Sequence, residues 1–258
     1  MKSTKPSPPY SILGRYYDQL THEAAGMNQH ARKKILGSIL AKVKTVCDLG
    51  CGTGTTAIHL ARSGKRVYAV DASPVQCGQA KKKIKDAKVP VRVICSDMRK
   101  LSLPEPVDLI LCEFNPLNHL ADKRDLKPVL QKIYQSLLPR GWFYFDLNMK
   151  QTYLKYYPAT RWEEHDDFSL LTRGGVDEER ETAWLDLDWF IPKGNAWQRF
   201  RERIEDTWWS NAEIQSALRN AGFANIRTWD GALIRPKKMK PRPGYDRYYL
   251  AQKRQKSG

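Results

Sequence analysis

Apolar and polar positions along this chain fall into two alternating kinds of run. Short apolar blocks, rich in Val, Ile, Leu and aromatic residues, recur at 46–49, 66–71, 91–95, 108–114 and 142–148. Blocks of that length bounded by turn residues read as buried strands. Between them, apolar positions recur at three- and four-residue spacing, the period of a helix with one buried face. The spacing predicts a helical start near 16–20 and a helix over 27–42. Ile35, Leu36, Ile39 and Leu40 form the apolar stripe of that helix, with Lys and Arg on the other face. Further helices follow over 55–63, stopped by Gly64, and over 74–85, opened by the capping box Ser73-Pro74-Val75-Gln76. Asp125 can cap the next, whose stripe is Leu130, Ile133, Tyr134, Leu137 and Leu138, ended by Pro139-Arg140-Gly141. Strands alternating with helices in this way predict an α/β fold with a doubly wound parallel sheet.

Residues 151–209 break the rhythm. Segments 168–173, 182–191 and 197–208 read as extended, and Trp184 to Trp189 alternates apolar with acidic residues. Gly174-Gly175 and Pro192 to Asn195 read as hairpin turns, so an antiparallel β insertion after strand five is expected. Six of the eight tryptophans lie there, and packing is the expected role for most of them. After the insertion the pattern closes with Ser210 capping a helix (Ile214, Ala217, Leu218 and Ala221 inward, Gly222 as stop) and strands at 224–229 and 246–252. The expected division is therefore an arm and cap helices at 1–43, a sheet core at 44–150, the insertion at 151–209, and a completing segment with a basic tail at 210–258.

Composition narrows the class without naming a function. With 41% hydrophobic and 28% charged residues the chain reads as a globular protein able to bury a real core. No apolar run approaches a membrane span, and the polar, proline-rich start does not read as a signal peptide. Five cysteines without a CxxC pair suggest reduced thiols in a cytoplasm rather than disulfides or zinc. The net charge of +16 is concentrated at the ends: residues 1–44 hold eight Lys/Arg against two acids, residues 231–258 nine against one, and residues 45–230 are almost balanced. Cationic ends around a near-neutral middle favour solvation over a polyanion groove, so nucleic acid is a possible partner but not the favoured one.

The stretch Val46-Cys47-Asp48-Leu49-Gly50-Cys51-Gly52-Thr53-Gly54 carries the chemistry. Three glycines between a strand and a helix let a ligand approach the backbone. The spacing departs from the dinucleotide pattern G-x-G-x-x-G, and no lysine opens the helix as in a P-loop. This G-x-G-x-G turn with its preceding acid resembles motif I of the class I S-adenosylmethionine-dependent methyltransferases, of the bacterial small-molecule type. That resemblance implies a seven-stranded Rossmann-like methyltransferase sheet, with S-adenosylmethionine held by Asp48, Gly50, Cys51 and Gly52. Asp71, at the tip of the second strand, is suited to a ribose diol, because a carboxylate accepts from both hydroxyls; Ala72 follows it. Asp97 and Met98 stand where the family meets the adenine ring. Tyr17-Asp18 resembles a pair that closes over the cofactor, and Glu113, near the end of strand four, joins the expected cofactor-binding residues.

Asn115-Pro116-Leu117-Asn118-His119-Leu120 occupies the motif IV position and resembles an Asp-Ser-Leu-Asn-Tyr-Leu form, with Asn, Pro and His at the altered places. It also resembles the Asn-Pro-Pro-aromatic motif of exocyclic base methylation, but lacks the second proline and the stacking aromatic. An activated methyl group needs an acceptor held in line with it, and a base only if that acceptor arrives protonated. His119 is the first candidate base, His22 the second, and Asn115 a candidate to orient the acceptor. No metal cluster is evident. The expected activity is methyl transfer to nitrogen or oxygen of a small-molecule acceptor, by a monomer or homodimer. Two alternatives stay open: an RNA methyltransferase guided by the basic termini, and a non-catalytic S-adenosylmethionine-binding protein interacting through the insertion.

Overall fold

The computed structural model describes residues 7–234 and 244–255, with only the backbone of residues 22–25. The elements run α1 (Leu13–Leu40), β1 (Thr45–Leu49), α2 (Thr55–Arg62), β2 (Arg66–Asp71), α3 (Pro74–Ala87), β3 (Val91–Cys95), β4 (Val107–Cys112), α4 (Leu126–Gln135), β5 (Leu137–Asn148) and α5 (Lys150–Tyr156). There follow β6 (Arg161–His165), β7 (Phe168–Asp177), β8 (Thr182–Lys193), β9 (Ala196–Thr207), α6 (Asn211–Asn220), β10 (Phe223–Asp230), α7 (Gly231–Ile234) and β11 (Asp246–Lys253).

Seven strands form one sheet in the order β10-β11-β5-β4-β1-β2-β3. Strands β1 to β5 are parallel, and β11 enters antiparallel between β5 and β10. The sheet is buried on both faces, which is why its strands read as near-continuous apolar blocks. Cys47, Leu49, Ile110, Cys112, Phe143 and Phe145 point to the α4/α6 side. Val46, Val67, Leu109, Leu111 and Tyr144 alternate with them toward α1 and α2. The strand order reverses between β1 and β4, so a crevice opens beyond their carboxyl ends.

Strands β6 to β9 form a separate antiparallel sheet. Its inner face packs Phe168, Leu170, Leu187, Trp189 and Ile204 against Ile12, Leu13, Tyr16 and Leu20 at the start of α1. The insertion also supplies the cap of that helix. The Ile12 side chain gives no cap, and the fully buried Glu202 of β9 accepts from the backbone N–H groups of Ile12 (2.7 Å) and Leu13 (2.8 Å), from Ser11 Oγ (2.9 Å) and from Trp189 Nε1 (3.0 Å). Of the insertion tryptophans, Trp189, Trp208 and Trp209 are buried as packing residues, while Trp162 and Trp197 are exposed.

Several sequence expectations change. Asp125 stands at the N-cap of α4, but its side chain makes no cap bond. The two N-terminal helices are one, α1, because Gly26 meets no neighbour and interrupts nothing that packing requires. Leu137 and Leu138 belong to β5 rather than to α4: Leu137 is buried in the sheet core, and Leu138 is 36% exposed. Gly174-Gly175 makes no turn and lies inside β7, paired with Leu185 and Trp184. A Cβ on Gly174 would sit 2.4 Å from the Trp184 carbonyl oxygen, and one on Gly175 2.4 Å from the Trp184 ring, so glycine here permits strand contact.

Candidate functional site

The turn after β1 is sewn to β2. The backbone N–H groups of Gly50 and Cys51 both donate to the Val70 carbonyl (2.8 and 3.0 Å). Those of Gly52 and Ser73 donate to the two oxygens of Asp71 (2.9 and 2.8 Å). Gly50 has φ +74, and a Cβ there would lie 2.5 Å from the Pro116 ring. The glycine therefore serves contact between the first turn and the segment after β4 as well as its own backbone angle.

Above this turn runs a trough made of two connected cavities. Its inner part, about 310 Å³, is lined by Tyr17, Asp48, Cys51, Gly52, Glu113 and Phe114, among others. Asp48 and Glu113 are buried together with one cation, Arg32, which pairs with Glu113. Burial and the neighbouring Glu113 push the Asp48 carboxyl up to about 7, against the pull of Arg32. Burial also raises Glu113, with Arg32 opposing it. Asp48 Oδ2 and Glu113 Oε1 have no hydrogen-bond partner among the described residues. Two buried acids against one guanidinium leave this end short of one positive charge.

The outer part, about 500 Å³, shares Tyr17, Gly50, Gly52, Glu113 and Phe114 and adds Tyr10, Asp71, Ala72, Asp97, Met98 and His119. Asp97 caps a short turn and takes Arg99 on both oxygens (Nε to Oδ1 3.0 Å, Nη2 to Oδ2 2.6 Å), which lowers its carboxyl. Asp18 does not face the ligand space alone: its carboxylate ties Thr53 (2.5 Å) to Lys83 (2.5 Å), clasping α1 over the turn. The predicted residues on the β1, β2, β3 and β4 ends thus line one continuous space.

The two motif IV candidates do not share a cavity. His119 faces the outer trough, with Nδ1 2.6 Å from Asp206 Oδ1 and Nε2 2.7 Å from the Tyr10 hydroxyl. Burial works against its charge, but Asp206, together with the Glu205 carbonyl and Asp71, outweighs this and raises the imidazole above its ordinary value. Asn115, with φ +59, faces a second cavity of about 260 Å³ beside Asn28, Asp146, Asn148, Tyr156 and Tyr248. Asn115 Oδ1 has no partner among the described residues, and Asp146 accepts the Phe114 N–H (2.9 Å). Burial and Glu113 raise Asp146 well above the usual carboxylate range. Phe114 lines both this cavity and the trough. The His22 side chain and the basic loop 235–242 lie outside the described residues.

Sequence reasoning missed Arg32, Tyr10, Asp146 and Asp206. Arg32 stands beside Lys33 and Lys34 on a face read as solvated, yet it is 5% exposed. Asp206 stands beside Glu205 in a strand whose inward face had no sequence marker.

A doubly wound sheet with a glycine turn at its switch point, two strand-end acids beside it and an acid-rich inner end defines a nucleoside-type cofactor site. Residues 46–141 match a family described as a methyltransferase domain. The putative methyltransferase YqeM of Bacillus subtilis is 26% identical over 83% of this chain and 86% of its own length. An S-adenosylmethionine-dependent methyltransferase from Clostridium acetobutylicum superposes with a TM-score of 0.79, at 21% identity, covering 95% of this chain and 99% of that one. The sugar N-methyltransferase KedS8 from Streptoalloteichus superposes with a TM-score of 0.71 at 18% identity, over 99% of each chain. The chain carries an S-adenosylmethionine-dependent methyltransferase domain over residues 46–141.

Proposed function

We propose that the trough holds S-adenosylmethionine and that the enzyme methylates nitrogen or oxygen of a small polar metabolite seated in the cavity beyond Phe114. The cofactor's chemistry fits the residues present. The free oxygens, Oδ2 of Asp48 and Oε1 of Glu113, suit the ammonium of its methionine end. Gly50, Cys51 and Gly52 bring backbone close to it, Asp71 and Ala72 stand where a ribose would lie, and Asp97 and Met98 where an adenine would. Tyr17 closes the space from α1. When bound, the cofactor supplies a methyl group already activated on a sulfonium.

The protein's task is then positioning. The observation that carries the acceptor class is the small second cavity, whose volume of about 260 Å³ and lining of amides, tyrosines and buried Asp146 suit a hydrogen-bonding metabolite. Asn115 orients such an acceptor, and Phe114 marks where it meets the trough. His119, lining the trough with Phe114, takes the proton that an amine or hydroxyl must lose. The resemblance of fold to a sugar N-methyltransferase supports an amine acceptor.

The test is transfer of labelled methyl from S-adenosylmethionine into the small-molecule and macromolecular fractions of a cell extract, with Asp71→Ala as the control. Label in small molecules that survives mild alkali, absent with Asp71→Ala, is expected. Label confined to RNA or protein, or none despite measured cofactor binding, overturns the acceptor reading.

A further inference from the structure

We propose that Tyr10, His119 and Asp206 form a proton relay: Tyr10 faces the acceptor, His119 receives the proton, and Asp206 positions His119. This rests on the proposed function, with the acceptor seated beyond Phe114 and its reacting atom reaching into the trough, whose wall Tyr10 and His119 share with Phe114. The three groups come from three separate parts of the chain: the segment before α1, the turn after β4, and β9 of the insertion. Tyr10 Oη lies 2.7 Å from Nε2 of His119, and Asp206 Oδ1 2.6 Å from Nδ1. The Tyr157 hydroxyl in turn donates to Asp206 Oδ2, so the carboxylate is itself held from behind.

The groups beside each ring nitrogen set the direction of the proton: Nδ1 faces only acceptors, the Asp206 carboxylate at 2.6 Å and the Glu205 backbone carbonyl, while Nε2 faces the Tyr10 hydroxyl. Neither a carboxylate nor a carbonyl has a proton to give, so Nδ1 carries the ring hydrogen on the side of Asp206 and Glu205, and Nε2 presents a lone pair. Tyr10 is then the donor to Nε2. As the methylated acceptor sheds its surplus proton to the Tyr10 oxygen, the Tyr10 hydroxyl proton moves to Nε2. Tyr10 ends neutral, and the imidazolium ends paired with Asp206. No charge is created on the phenol, which burial would penalise heavily. Each proton lost by one group is gained by the next, and no further reactant is needed.

A second observation points the same way. Tyr10 has φ +61, a backbone angle that costs a non-glycine residue energy. The surrounding bonds hold it there: Ser7 N–H donates to the Arg201 carbonyl (2.7 Å), and Glu202 gathers Ser11, Ile12 and Leu13. The insertion therefore grips the chain on both sides of Tyr10 and delivers its hydroxyl to His119. Pro8, Pro9 and Tyr10 also form part of the trough wall beside His119.

The charged and titratable groups around His119 are Asp206 on β9, with Arg203 and Glu205 beside it, Asp71 on β2, Asp97 and Arg99 after β3, and Tyr10. Asp206 is the nearest and favours the imidazolium. Tyr10 donates to the neutral form and opposes it. The two variants Asp206→Asn and Tyr10→Phe should therefore shift the His119 titration in opposite directions, down for the first and up for the second. These shifts test the arrangement of groups around His119, and the fall in kcat with Tyr10→Phe separates a relay from a clasp that merely pins the N-terminal segment.

The experiment follows the His119 ring resonance by NMR against pH in the full-length protein and both variants, assigned with His119→Gln, alongside pH–rate profiles. The acid limb of kcat should move to lower pH with Asp206→Asn and to higher pH with Tyr10→Phe, each with kcat lowered by about tenfold or more. S-adenosylhomocysteine affinity, measured on the same samples, should hold within about twofold for Tyr10→Phe, which also carries the test if Asp206→Asn fails to fold. An unmoved His119 titration in both variants, or an unchanged kcat with Tyr10→Phe, overturns the relay. The titration needs no acceptor, so a wrong acceptor assignment leaves that arm intact and shows only as missing turnover.

Discussion

Asp48→Asn should make the ligand-free enzyme more stable while weakening its hold on the cofactor. Asp48 is 3% exposed, and its carboxyl titrates at about 7 in the fold against 3.8 for an ordinary aspartate. Between those values the folded protein binds a proton that the unfolded chain has released, so stability falls as pH rises through this window and levels off above about 7. A carboxyl held that far above its ordinary value costs the fold at most about 4 kcal/mol at pH 8. Part of that belongs jointly to Glu113 and Arg32, so about 2 kcal/mol is the smallest gain the reasoning allows at pH 8. Asparagine keeps the volume and removes the charge. Urea unfolding of wild type and variant at pH 5 and pH 8 measures the gap, which should be larger at pH 8. Isothermal titration should show S-adenosylmethionine affinity reduced by about tenfold to a hundredfold, the worth of one charge-assisted bond. A variant no more stable than wild type at pH 8, or a gap that does not narrow toward pH 5, would refute the claim that this acid is held against its own burial.

Two other perturbations test the frame around the site. Gly50→Ala places a methyl 2.5 Å from Pro116 at φ +74, and should cost about 2–4 kcal/mol in urea unfolding and abolish S-adenosylhomocysteine binding. Glu202→Gln keeps the shape but loses the charge that caps α1 and holds the Trp189 indole, so a loss of about 2–3 kcal/mol is expected. The same variant should speed hydrogen exchange at Ile12 and Leu13 before it affects the sheet, and uniform exchange across the chain would count against a local cap.

The parallel sheet was legible because its strands are buried on both faces and their apolar runs end in turns or acids that helices could not accommodate. Helix ends were legible where chemistry is local. Ser210 forms its reciprocal box with Glu213 as the spacing suggested, while at Ser73 only half of the expected box forms, its side chain accepting the Gln76 N–H (3.3 Å). Local signals failed where a distant contact decided the conformation. The glycine pair at 174–175 looks like a turn in isolation, and only the closeness of Trp184 makes it a strand. Pro139-Arg140-Gly141 looks like a helix stop, and it is the interior of β5, where Arg140 takes φ +64.

The sequence by itself determined the class of fold, the position of the glycine turn and the row of strand-end acids, since periodicity, backbone freedom and charge at a strand tip are properties of neighbouring residues. It also singled out His119 and Asn115 through their place after β4. Only the tertiary structure decided that these two face different cavities, that Arg32 is the buried partner of Glu113 rather than a solvated base, and that Tyr10 and Asp206 flank His119. Those residues are separated by 81 positions between Arg32 and Glu113 and by 109 between Tyr10 and His119. Whether an ionisable side chain is solvated, paired or poised depends on what the fold brings within a few ångströms of it, and no pattern along the chain encodes that distance.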